Sequence, residues 1–139
     1  MRWVTYDGGA GARAGLLEDG AVHGLADGVT LLSLLGDDGE RLAAAADTAR
    51  HDPAEVRRTD EVRLLAPIPR PPSVRDGLCF LEHLRGCYRA LGRSEELHPA
   101  WSQTPAFYFG NPAAVIGPHD DVPIAPGCRW FDFELEVGA

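Results

Sequence analysis

Between positions 66 and 72 the chain carries four prolines within six residues, Pro67, Pro69, Pro71 and Pro72. Each proline fixes its own φ and lacks an amide hydrogen, so this stretch can be neither helix nor central strand. It must run stiff and extended. A boundary is therefore expected here, with a small N-terminal domain at residues 1–66 and a second unit at residues 67–139. The length of 139 residues suits a small domain plus part of another.

Ahead of the prolines, short β-forming runs alternate with glycine turns. Trp3, Val4, Thr5 and Tyr6 precede the turn Asp7-Gly8-Gly9-Ala10-Gly11. Residues 14–17 precede a second turn, Glu18-Asp19-Gly20, and residues 21–25 follow it. This pattern predicts an antiparallel meander. No helical pattern opens after Gly8, Gly9 and Gly11, so they are hairpin glycines and not a dinucleotide fingerprint. Residues 31–35 predict a helical turn closed by Gly36. Residues 40–50 predict a helix with an apolar stripe of Leu42, Ala45, Ala46 and Ala49, stopped by His51-Asp52-Pro53. Residues 61–65 alternate like a strand.

Beyond the prolines, a helix is expected over residues 76–91. Ser73 and Asp76 stand at capping-box spacing before it, and Gly92 terminates it. Strands are expected at residues 106–109, 113–116 and 130–137. In the last, Phe131, Phe133, Leu135 and Val137 alternate with Asp132, Glu134 and Glu136. Two uses fit such a carboxylate row: an ordinary solvated sheet face, or convergence on one cation.

Composition removes other classes of function. The net charge is −8, and all 13 basic residues are arginine with no basic stretch interleaved with aromatics. A nucleic-acid partner is therefore not expected, because phosphate binding needs a local surplus of cations. No apolar run approaches the roughly 20 residues of a membrane span, and the N-terminus lacks the apolar segment of a secretory signal. A cytoplasmic location without membrane association is expected. Cys79, Cys87 and Cys128 make a disulfide framework improbable. Cys79, His83 and Cys87 would fall on one helical face, yet three ligands in a row match a zinc tetrahedron poorly. Both cysteines are read as small packing residues.

Residues 105–118, the pair Pro123-Ile124, the run Asp132-Phe133-Glu134-Leu135-Glu136, and Arg70 to Asp76 with His83 seven residues later together resemble the fumarylacetoacetate hydrolase family. The resemblance covers residues 67–137. It implies an α+β fold in which a small N-terminal α/β domain is followed by the beginning of a β-rich catalytic domain. Glu134 and Glu136 match a Glu-x-Glu pair that ligates a hard divalent cation, Mg²⁺, Mn²⁺ or Ca²⁺, and Asp76 matches a third ligand. His83 matches a general base, and Tyr108 a substrate-contacting tyrosine. Such enzymes cleave a carbon–carbon bond in β-diketo or related oxo-acids; relatives isomerise hydroxymuconate-type diacids or decarboxylate oxaloacetate.

The residue types suit that chemistry, since oxygen ligands favour Mg²⁺, Mn²⁺ or Ca²⁺ and histidine can deprotonate water near neutral pH. Two positions depart from the pattern. Gly86 replaces a glutamate often found three residues after the histidine, and Asn111 replaces a basic residue. Because the family's catalytic domain continues past the Glu-x-Glu pair, the 139 residues alone are expected to be truncated and inactive. A homodimer with a small oxo-acid substrate is the implied assembly. A non-catalytic remnant or interaction module is the alternative of another class.

Overall fold

The computed structural model describes residues 1–138. It is an α+β arrangement of two helices and two antiparallel sheets. The first sheet contains β1 (Trp3–Asp7), β2 (Ala12–Glu18), β3 (Ala21–Gly24), β4 (Glu55–Arg58) and β5 (Leu64–Leu65), in the order β4-β3-β2-β1-β5. Its first three strands are the expected meander. Asp19 and Gly20 form the β2–β3 turn with φ of 49° and 76°, and Glu18 pairs with Ala21 around them. Two consecutive positive φ angles are what a two-residue turn needs to match strand twist, and Asp-Gly supplies them at low steric cost.

Helix α1 (Glu40–His51) lies where the alanine-rich pattern predicts and packs on one face of this sheet. Ala46 and Ala49 are fully buried there, in one core with Ala14, Leu16, Leu25, Leu31 and Leu34. On the other face Tyr6 is fully buried and crosses Gly15 and Gly24; an added Cβ at Gly24 would collide with its hydroxyl, and one at Gly15 would collide with Val22 Cγ1 and lie 3.2 Å from its ring.

The second sheet pairs β6 (Val74–Gly77) with β7 (Phe107–Gly110), and helix α2 (Leu81–Ala90) lies between them in sequence. The prolines thus fall between the last strand of one sheet and the first of the other. Thr5 Oγ1 donates to the Pro67 carbonyl at 2.6 Å and anchors the start of the proline stretch. No helix among the described residues is long and apolar enough to cross a membrane.

Four expectations are corrected. The helix expected from residue 76 starts at Leu81, because residues 74–77 are drawn into the ladder with β7; Asp76 is a strand residue, and the helix cap is Phe80 without a side-chain bond. Its C-terminus is as expected: Gly92 has φ 66°, its N–H reaches the Arg89 carbonyl, and the Arg93 N–H reaches that of Tyr88. The strand expected at 61–65 is reduced to Leu64–Leu65, preceded by a 3-10 turn at Thr59–Glu61, while β4 pairs unexpectedly with β3. Residues 113–116 are no strand, since Asn111 accepts the Ala113 N–H and starts a 3-10 turn at Pro112–Ala114. Residues 130–137 also form no strand, because no neighbouring strand among the described residues offers ladder partners.

Candidate metal centre

The two-stranded ladder sets the geometry. Asp76 pairs with Tyr108 and Val74 with Gly110, so these four positions share one face. Arg75 pairs with Phe109 and Gly77 with Phe107 on the opposite face. There the Arg75 guanidinium lies 4.9 Å from the Phe109 ring centre and 5.5 Å from that of Phe107. The two rings meet edge to face at 5.1 Å, a packing that braces an otherwise small sheet.

On the first face, one carboxylate oxygen each from Asp76, Glu134 and Glu136 lies within 4.8 Å of the other two. Asp76 is half-buried on β6, and the two glutamates are exposed. Asp132 takes no part; its carboxylate accepts the adjacent Phe133 N–H at 2.8 Å. Among the described residues, none of the ion pairs involves Asp76, Glu134 or Glu136. Three gathered anions without a cationic partner repel one another. The spacing fits a shared hard cation, since oxygens about 2.0–2.6 Å from one ion lie within about 5 Å of each other.

His83 lies in the first turns of α2, exposed and outside the convergent carboxylates. Its Nε2 is 3.6 Å from Cys87 Sγ. Cys79 precedes the helix, and Cys79, His83 and Cys87 do not converge as a ligand set among the described residues. The cysteines expected to pack inside are exposed. Tyr108 is 72% exposed beside Asp76.

A turn beyond β7 ties the second half to the first sheet. Asp120 accepts the Gly117 N–H at 2.8 Å and pairs with the Arg63 guanidinium. The backbone N–H of Gly117 and then Arg63 hold its carboxyl below the usual range. The Asp120 link has no local sequence signal, and of the contact between His83 and Cys87 only the shared helical face was expected. That face follows from the i, i+4 spacing of His83 and Cys87.

Residues 73–139 match the family model described as fumarylacetoacetate (FAA) hydrolase C-terminal. No curated protein and no solved structure matches the chain. The matched segment contains Asp76, His83, Tyr108, Glu134 and Glu136, and it is through this segment, residues 73–139, that the chain is similar to the fumarylacetoacetate hydrolase family.

Proposed function

We propose that the chain contributes a metal-dependent site for cleaving a carbon–carbon bond in β-diketo or related oxo-acids. The observation that carries this reading is the convergence of Asp76, Glu134 and Glu136 from two distant segments. An all-carboxylate donor set suits Mg²⁺, Mn²⁺ or Ca²⁺ and not softer metals. When bound, such a cation supplies Lewis acidity toward a 1,3-dicarbonyl.

The remaining roles fall to side chains of this chain. His83 takes a proton from water on a ring nitrogen, a task matched to an imidazole near neutral pH. Tyr108, level with Asp76 on the same sheet face, donates its hydroxyl to a substrate oxygen. In this reading residues 1–66 form a small domain and residues 67–139 belong to the catalytic one.

Cation binding is the direct test. Titration with Mg²⁺, or with Tb³⁺ as a luminescent stand-in, should give saturable binding. Mg²⁺ at a hundredfold excess over Kd should raise stability by about 2.7 kcal/mol. Glu134→Gln should weaken binding at least about tenfold, since even groups that only support a ligand cost that much. Equal thermal unfolding with and without Mg²⁺ in the unsubstituted protein would remove the metal site. A panel of acylpyruvates, hydroxymuconate-type diacids and oxaloacetate then separates hydrolase from isomerase and decarboxylase.

A further inference from the structure

His83 and Cys87 stand four residues apart on α2, on adjoining turns of one helical face. Among the described residues, the one hydrogen-bond partner of a His83 ring nitrogen is Cys87 Sγ, 3.6 Å from Nε2. Neighbouring groups do not compete for the ring. Gly86 has no side chain to offer, and the carboxylate of Glu82 is engaged by Arg85.

From this contact we infer that Cys87 is a positioning residue for His83, with its sulfur accepting the Nε2–H. This rests on the reading of His83 as a base. A neutral imidazole carries one N–H and one lone pair, so occupying Nε2–H leaves the lone pair on Nδ1. Nδ1 then faces away from the thiol and is free to take a proton. The reverse arrangement, with the thiol donating to Nε2, would put the proton on Nδ1 and occupy the Nε2 lone pair with the thiol. A side chain one helical turn away thereby selects the tautomer and holds the ring.

The protein carries its own standards for both tautomers. His51 Nδ1 lies 2.8 Å from the Asp47 carbonyl, which can only accept, so its proton is on Nδ1. His98 Nδ1 accepts the Ala100 N–H at 3.2 Å, so its proton is on Nε2. Long-range ¹H–¹⁵N correlation spectra, recorded about two pH units above the usual histidine pKa near 6.5, read each ring separately. His83 should show the His98 pattern. Cys87→Ala should draw its two ring ¹⁵N shifts together as the tautomers mix, and Cys87→Ser, which keeps an acceptor, should restore their separation. Both variants alter an exposed position, and unchanged amide spectra elsewhere verify the fold.

A His51-type pattern for His83 in the unsubstituted protein would overturn the inference, as would His83 ring shifts in Cys87→Ala unchanged from those of the unsubstituted protein. The spectra need no metal or substrate. Failure of cation binding would therefore strike the proposed function alone and leave the tautomer result standing.

Discussion

Asp76 on β6 stands directly opposite Tyr108 on β7, so a half-buried carboxylate and an exposed phenol project from the same face of the two-stranded sheet. The register of one short ladder thus brings a proposed ligand level with a proposed substrate contact. Its other face is braced by Arg75 against Phe107 and Phe109.

Tyr108→Phe isolates the hydroxyl. The ring of an exposed residue keeps its ladder position, so stability should change by less than about 0.5 kcal/mol. Cation affinity should stay unchanged, while KM for an oxo-acid substrate rises. Isothermal titration beside steady-state kinetics makes the comparison, and a loss of cation affinity in Tyr108→Phe would contradict the assigned role.

Tyr6 predicts a pH window for folding. Its hydroxyl donates to Glu55 Oε1 at 2.7 Å, and Arg13 Nη1 donates to the same oxygen at 2.7 Å. Burial first, then the Glu55 bond and charge, push the phenol from 10.0 up to about 12. The Tyr6 bond first, then the Arg13 and Arg57 charges, hold Glu55 below its ordinary 4.5. The raised phenol stabilises the fold fully below pH 10.0, and that contribution is lost as pH rises toward about 12. The lowered carboxylate stabilises it above 4.5, and that contribution is lost as pH falls further. Tyr6→Phe should cost about 1–2 kcal/mol at neutral pH and flatten the alkaline decline. Urea unfolding across a pH series checks both limbs; an unchanged alkaline limb in Tyr6→Phe would show that another group causes it.

Two glycines should respond with opposite sign. A Cβ at Gly24 would collide with the Tyr6 hydroxyl and approach Glu55 Cγ to 3.1 Å. Gly24→Ala should therefore destabilise by about 1–3 kcal/mol. Gly86 lies inside α2 with nothing within 4 Å of an added Cβ, so Gly86→Ala should stabilise by about 0.5–1 kcal/mol. Urea midpoints measure both, and equal effects would show that the crowding by Tyr6 is not what selects glycine at position 24.

Leu135 and Val137 are 95% and 99% exposed, beside a proposed ligand at Glu136. Exposed apolar side chains contribute nothing to a core but favour association. The double change Leu135→Ser, Val137→Ser should leave the melting temperature within about 2 °C and lower self-association in light scattering. A large drop in melting temperature would mean that these side chains are packed in solution.

The meander, α1 and the end of α2 were legible because their signals are local. Asp19-Gly20 specifies its turn, the alanine stripe its helix, and Gly92 its stop, each within a few residues. The misread segments depend on distant partners. Residues 74–77 lose their helical start to a ladder with residues 107–110, and residues 130–137 alternate like a strand but find no partner among the described residues. Periodicity reports which faces a segment could bury, and strand formation also needs a neighbour.

By itself the sequence determined the chemistry available: a Glu-x-Glu spacing, a histidine with a thiol four residues on, and a stiff proline stretch between two sheets. Only the tertiary structure decided that Asp76 joins Glu134 and Glu136 within 4.8 Å, and that Tyr108 stands level with it. The division has a physical cause. Covalent geometry sets distances along a few residues, whereas the register of a folded ladder sets Asp76 level with Tyr108, and only the course of the folded chain brings Glu134 and Glu136, outside any strand, to Asp76 against their mutual repulsion.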